Sequence, residues 1–139
     1  MKCFIDTSAF YALEDPDDRN HREAKRIQHR FAEERPDFYT THHVLDESVT
    51  LIGARLSPGR AVQFAQEMLA SRLIRIVRSD EELERAALAL YARFGDARIS
   101  YTDCLGFAAM RALEIRVAFA FDRHFGRAGF ELAHSLENS

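Results

Sequence analysis

Short apolar segments alternate with longer helical patterns along almost the whole chain, and this alternation constrains the fold more than any other feature. The apolar segments are KCFI at residues 2–5, DFYT at 37–40, LIRIV at 73–77, RVAFAF at 116–121 and FELAH at 130–134. Strands that alternate with helices pair in parallel, because each helix returns the chain to the end of the sheet where the next strand begins. The pattern therefore predicts an α/β sandwich with helices on both faces of a parallel sheet.

Capping residues and prolines set the boundaries of the predicted helices. Asn20 is a good N-cap for a helix over residues 21–35, which Pro36 ends. Ser57 and Pro58 start the next helix, since serine is a favoured cap and proline is favoured at the first helical position. The other predicted helices cover about 6–14, 42–56, 58–72, 81–94 and 101–114. A short helical turn is predicted over 122–128.

The composition is that of one soluble domain over residues 1–139. Hydrophobic residues make up 47% of the chain and charged residues 29%, which is ordinary for a globular protein. No segment approaches the roughly 18 apolar residues of a membrane span, and the charges near the N-terminus exclude a signal peptide. Cys3 and Cys104 form neither a disulfide framework nor a metal motif, so we expect a cytoplasmic protein with both thiols in its core.

Aspartates follow two of the predicted strands. Asp6 comes directly after KCFI, and Asp122 directly after RVAFAF. The carboxyl ends of parallel strands meet at one edge of the sheet, where open α/β proteins bind their ligands. Each aspartate could instead serve only as the N-cap of the next helix, and the sequence leaves that alternative open. Two acids at one edge repel each other unless a cation lies between them.

A third aspartate lies on the predicted helix over residues 101–114. Asp103 shares a helical row with Phe107 and Met110, so it is expected to face inward. A buried carboxylate without a partner costs several kcal/mol, so a partner is required. The alternative role of Asp103 is a capping box with Ser100, whose spacing fits that motif.

A glutamate on the predicted helix over residues 42–56 is the fourth candidate. Glu47 is flanked on its helical row by Val44 and Leu51, so it is expected to lean toward the apolar side, whereas Asp46 faces solvent. A salt bridge to an arginine is the alternative role for Glu47.

Together the four acids predict a metal site. A group of carboxylates with no matching lysine is typical of hard divalent cations, which prefer oxygen ligands, and Mg²⁺ is held by a few carboxylates and substrate phosphates. Two such ions about 4 Å apart can activate a water and stabilise the leaving oxygen of a phosphodiester. Two other acidic sites fit poorly: a DxDxT phosphatase needs an aspartate at Ser8, and a phospho-receiver domain needs a lysine late in the chain.

Four motifs resemble those of the PIN domain, in particular the VapC-type toxins of bacterial toxin–antitoxin pairs. They are FIDTSAF, THHVLDESVTLI, SYTDCLGFA and AFAFDRHFGRAGF, in this order along nearly the whole chain. The resemblance implies a Rossmann-like three-layer α/β/α sandwich with a mainly parallel five-stranded sheet. It also implies an endoribonuclease that depends on Mg²⁺ or Mn²⁺ and cleaves RNA phosphodiesters with a metal-activated water.

The resemblance assigns roles to the acids and to two hydroxyls. The family's acidic positions fall on Asp6, Glu47, Asp103 and Asp122. A hydroxyl that the family carries near the metal falls on Thr7 or Ser8.

One position departs from the family's pattern. Many members carry threonine or serine two residues before the last aspartate, where this chain has Ala120. A missing hydroxyl there could weaken support for a second metal. The alternative is therefore a PIN fold that binds RNA or protein with little or no catalysis.

The resemblance further implies partners. They are an RNA substrate, a small antitoxin that covers the acidic pocket and inserts an arginine among its carboxylates, and a second copy of the chain in a homodimer. The sequence does not reveal which RNA is cut.

One predicted helix is rich in basic residues and is a candidate RNA-binding surface, although the net charge of −3 is unlike that of a passive nucleic-acid binder. Residues 19–35 carry six arginines or lysines against three glutamates. Arg22, Arg26 and Arg30 are predicted to contact phosphates, because arginine suits bidentate phosphate contacts and an acidic pocket repels RNA. The alternative is a solvated helix face that only maintains solubility.

Overall fold

The computed structural model describes residues 1–95 and 98–136, in which five parallel strands form one sheet. The strands are β1 Lys2–Ile5, β2 Asp37–Thr41, β3 Ile74–Val77, β4 Val117–Phe119 and β5 Glu131–Leu132. Their order across the sheet is β3-β2-β1-β4-β5, and every pairing is parallel. The predicted α/β sandwich is confirmed, and the described sheet is entirely rather than mainly parallel.

Helices connect the strands and follow the predicted order. They are α1 Thr7–Glu14, α2 His21–Glu34, α3 His42–Arg55, α4 Pro58–Ala70, α5 Glu81–Phe94, α6 Tyr101–Ala112 and α7 His124–Arg127, and a 3-10 turn covers Ala133–Ser135. The side chain of Ser57 accepts a hydrogen bond from the Arg60 amide at 3.1 Å, as predicted for the cap of α4. Asn20 occupies the N-cap position of α2, as predicted, although its side chain makes no capping hydrogen bond.

The last two strands are shorter than predicted. RVAFAF was expected to be extended throughout, but β4 ends at Phe119 because the Phe121 amide donates to the Ser8 hydroxyl at 2.9 Å, outside the sheet. FELAH forms only the two-residue β5, and the chain turns into the 3-10 turn at Ala133.

Buried aromatic rings fix α6 and α7 against the centre of the sheet. The Phe125 ring packs against Phe4 at 5.7 Å and against Phe107 at 4.9 Å between centroids. Gly106 permits this approach, since a Cβ there would lie 3.1 Å from the Phe4 ring. The packing matters for the site because α6 carries Asp103 and α7 begins just after Asp122.

The cysteines and the helices agree with the composition. Cys3 and Cys104 are free and buried, as predicted. None of the helices in the described part of the chain combines the length and the apolar character needed to cross a membrane.

Candidate metal centre

The structure brings all four predicted acids together at one edge of the sheet. β1 and β4 are neighbours, so Asp6 and Asp122 follow strands that end side by side. Asp103 and Glu47 approach from α6 and α3. The charge of Asp6 raises the pKa of both. Among residues 1–95 and 98–136, no lysine or arginine forms an ion pair with any of the four.

Asp6 lies deepest in this acidic cluster, which comprises Asp6, Glu47, Asp103 and Asp122. Its residue is 3% exposed. Burial, followed by the charge of Asp122, raises the pKa of Asp6 from 3.8 to about 7, although two hydrogen bonds from Ser8 oppose the shift. Burial raises the pKa of Asp122 as well, and the charge of Asp103 raises it further. Without a cation, Asp6 therefore retains a proton near neutral pH.

Asp103 is buried and held in place by three groups. Its Oδ2 accepts hydrogen bonds from the Ser100 amide at 3.0 Å and from His124 Nδ1 at 2.9 Å, and the Asp103 amide donates to Ser100 Oγ at 3.0 Å. The capping box is thus confirmed. Burial raises the pKa of Asp103, and the Asp6 charge raises it further.

Glu47 is solvent-exposed at the mouth of the cluster, so the expectation that it leans toward the apolar side was wrong. The buried face of α3 is formed by its neighbours Val44, Leu45 and Ser48. Glu47 nevertheless interacts electrostatically with the cluster. Partial burial of its carboxyl group raises its pKa, and the charges of Asp6 and Asp103 raise it further. No salt bridge to an arginine forms within the described residues, which removes that alternative.

The capping and cluster roles of the aspartates coexist. Asp6 accepts from the Ser8 amide at 3.2 Å and the Ser8 hydroxyl at 2.8 Å, in both cases through Oδ2. Asp122 accepts from the His124 amide at 3.0 Å through Oδ1. Each aspartate therefore orders its own turn and also belongs to the cluster.

The two hydroxyls behind Asp6 have different surroundings. Ser8 Oγ donates to Asp6 and accepts from the Phe121 amide, so it ties the end of β1 to the loop that carries Asp122. Thr7 is buried, and its hydroxyl lies near Glu47 and lowers that group's pKa, yet Oγ1 completes no hydrogen bond of ordinary geometry. A buried hydroxyl without a partner is costly unless a water or an ion satisfies it.

His124 belongs to the site and was missed by the sequence analysis. Its Nδ1 lies 2.9 Å from Asp103 Oδ2 and 3.9 Å from Asp122 Oδ1. The only signal in the sequence is its place two residues after Asp122, since nothing local relates it to Asp103, 21 positions earlier. The hydrogen bond orients the Asp103 carboxylate.

The residues at this edge fit a divalent cation. Asp103, Asp122 and His124 each offer a ligand atom, and these atoms lie within 4.8 Å of one another. The Thr7 hydroxyl completes no hydrogen bond, and the pKa values of the four acids are raised. Both observations indicate that the described residues do not neutralise the negative charge of the cluster. Such a donor set suits hard cations.

The basic helix has a different character. Arg26 Nη2 contacts Glu23 Oε2 at 2.5 Å, and Arg30 Nε lies 3.5 Å from Glu34 Oε1. The Arg30 side chain is only 19% exposed, and its Nη2 donates to the Ala133 carbonyl at 3.0 Å. Arg30 therefore ties α2 to the C-terminal turn, and its contact with RNA phosphates stays a prediction.

A cavity between the helices and the sheet lies away from the acids. It measures about 940 Å³ and is lined by residues of α1, α2, α4 and the first three strands, such as Phe10, Phe31, Phe64 and Ile74. None of the four acids lines it, so its size does not mark the site.

Comparison with known proteins identifies the family. A family model of the PIN domain matches residues 3–131. The 23S rRNA-specific endonuclease VapC20 of Mycobacterium tuberculosis is 36% identical over 127 residues, which cover 91% of this chain and 94% of that protein. The crystal structure of VapC20, described as a sarcin-ricin loop cleaving toxin, gives a TM-score of 0.82 at 33% identity and covers 92% of this chain and 95% of that one.

A more distant structure shares the fold alone. A chain of the DNA-bound VapBC of Salmonella typhimurium gives a TM-score of 0.66 at 17% identity, with 95% of this chain and 96% of that chain covered. The sheet, the acids at its edge and these likenesses agree, and the chain belongs to the PIN-domain family.

Proposed function

We propose that the protein is a metal-dependent endoribonuclease and the toxin of a bacterial type II toxin–antitoxin pair. The observation that carries the proposal is a cluster of four mutually repelling acids with no lysine or arginine paired to them among the described residues. The similarity of the whole chain to VapC20, an endonuclease specific for 23S rRNA, supports RNA as the substrate class.

The proposed reaction is hydrolysis of a phosphodiester. A water oxygen bonds to phosphorus, the bond to one ribose oxygen breaks, and the leaving oxygen takes up a proton. Asp6, Asp103 and Asp122, with Glu47, would hold Mg²⁺ or Mn²⁺, which supplies charge neutralisation and an acidified water when bound.

The chain's own residues prepare this site. Asp103 is oriented by Ser100 and His124, and Ser8 holds Asp6 beside the loop of Asp122. Asp6 must release the proton that its raised pKa retains near neutral pH before it can act as an anionic ligand. Glu47, at the exposed mouth, is placed to accept a proton from a water that enters with the substrate.

Purified protein incubated with bacterial RNA tests the proposal. We expect cleavage with Mn²⁺ or Mg²⁺ and none with EDTA. The Asp6→Ser variant separates a capping role of Asp6 from a metal-binding role, because serine caps a helix about as well as aspartate but carries no charge. Folded Asp6→Ser protein that still cuts RNA would reduce Asp6 to a cap, and wild-type protein that binds RNA without cutting it would favour the binding-module alternative.

We also propose a cytoplasmic location and two protein partners. An antitoxin would cover the acidic pocket and insert an arginine among its carboxylates, which would relieve the repulsion there. A homodimer is supported by exposed apolar side chains on α4 and α5, where Val62, Leu69 and Leu88 are 54%, 59% and 55% exposed. Light scattering on the purified chain tests the dimer, and protection of cells by co-expression of the neighbouring gene tests the antitoxin.

A further inference from the structure

A second, smaller cleft adjoins the acidic cluster. It measures about 350 Å³ and lies between α3 and the start of α6. Its lining comprises His43, Asp46, Glu47, Thr50, Leu51, Ala54 and Thr102. Glu47 belongs to the cluster and Thr102 precedes Asp103, so a molecule in the cleft would touch the site. The volume is at the lower end of the range for small-molecule pockets, which suits a single nucleotide.

The walls of the cleft offer the contacts that unpaired bases use. Asp46 and Thr50 are exposed and lie one helical turn apart on the same face of α3. A carboxylate only accepts hydrogen bonds, so Asp46 favours a base with an exocyclic amino group over uracil. The His43 ring is held by Ser79, whose Oγ lies 2.8 Å from Nε2, and a ring fixed in this way is a surface for stacking.

Positive charge lies close to His43, on the residue before Ser79. Arg78 follows β3 at the same edge of the sheet, and its Nη1 donates to His42 Nδ1 at 3.1 Å. β3 is two strands away from β1, which places this rim about 10 Å from the end of β1 at ordinary strand spacing. Arg78 is exposed and can reach a phosphate that neighbours the one at the acids.

We propose that this cleft binds the unpaired nucleotide next to the cleaved phosphodiester, with Asp46 reading its base, His43 stacking on it and Arg78 contacting the adjoining phosphate. The inference rests on the proposed ribonuclease function and adds to it a determinant of base preference.

Sequencing of RNA ends tests the inference. Purified wild-type protein, Asp46→Asn and Arg78→Ala are incubated with total bacterial RNA and Mn²⁺, and the cut sites are mapped. We expect wild-type protein to prefer an amino-bearing base at one position beside the cut, and Asp46→Asn to reduce that preference by about fivefold, the lower end of what a good side-chain–base pair contributes to discrimination. Asp37→Asn is the matched control, because Asp37 is an exposed aspartate at the start of β2, on the opposite edge of the sheet.

Arg78→Ala should behave differently from Asp46→Asn. Phosphate contacts position RNA without reading its sequence, so all sites should be cut less, with an unchanged base preference and a flatter dependence on salt. The inference is overturned if wild-type protein cuts without preference beside the cleaved bond, or if folded Asp46→Asn keeps the wild-type pattern. If wild-type protein cuts no RNA at all, the proposed function fails and the inference falls with it.

Discussion

The acidic cluster and the basic helix α2 are both dense in charge along the sequence, but the fold treats them in opposite ways. At the edge of the sheet, four acids of like charge gather and raise one another's pKa. On α2, Arg26 pairs with Glu23 and Arg30 with Glu34, one helical turn apart. Pairs of that kind stabilise a helix by roughly 0.2–0.5 kcal/mol, whereas crowded carboxylates cost free energy until a cation binds. Uncompensated charge, rather than charge density, therefore distinguishes the candidate site.

The largest expected effect follows from neutralising one acid of the cluster. Asp103→Asn removes an anionic ligand, and we expect cleavage to fall by more than the roughly 10–100-fold that follows loss of a group supporting a metal ligand. Calorimetric titration with Mn²⁺ should show weaker binding, while the metal-free variant should melt no lower than wild type because repulsion is relieved. Asp37→Asn, outside the cluster, is the control. Undiminished cleavage by Asp103→Asn would break the comparison.

His124 is expected to act through Asp103, with a smaller effect. His124→Ala removes the donor to Asp103 Oδ2 and should lower cleavage by about 10–100-fold. His124→Asn can place an amide nitrogen near the position of Nδ1, so it should recover part of the activity and of the Mn²⁺ affinity. Equal losses in both variants would show that the hydrogen bond to Asp103 is not what matters.

The metal-free protein should lose stability as the pH rises from about 4 to 7. The pKa of Asp6 is raised from 3.8 to about 7, so the folded state keeps a proton that the unfolded chain releases in this interval. The free energy of unfolding therefore falls with rising pH, by about 2 kcal/mol between pH 5 and 7. Calorimetric melting in EDTA measures this fall, and Asp6→Asn should flatten it. A wild-type slope that persists in Asp6→Asn would assign the effect to other groups.

The smallest expected effect concerns α2. Loss of a true phosphate contact lowers the salt slope of single-stranded RNA binding by about 0.7. Because Arg26 is paired with Glu23, we expect the double variant Arg22→Ala and Arg26→Ala to change the slope by less than the two contacts would give. Arg30→Ala should instead lower the melting temperature, since it removes the bond to the Ala133 carbonyl. The measurement is RNA affinity by fluorescence anisotropy at several salt concentrations. A fall in the salt slope equal to two lost contacts would show that Arg22 and Arg26 both bind phosphates.

The sequence by itself determined the features that depend on local patterns. The alternation of strands and helices, the Ser57 cap and the capping box of Ser100 with Asp103 involve residues a few positions apart, so periodicity and capping rules are sufficient to find them. The three aspartates could be selected for the same reason, since each stands after a predicted strand or in the first turn of a helix, whereas the helical row of Glu47 predicted the wrong burial.

Only the tertiary structure decided how these pieces meet. The strand order puts β4 beside β1, and this neighbourhood brings Asp122 to Asp6 and His124 to Asp103. The Ser8 hydroxyl reaches the Phe121 amide across 113 positions, and the Arg30 guanidinium reaches the Ala133 carbonyl across 103. Such contacts depend on how buried faces pack against one another, for example where Gly106 lets α6 approach the Phe4 ring. No local pattern in the chain specifies the partner of such a contact.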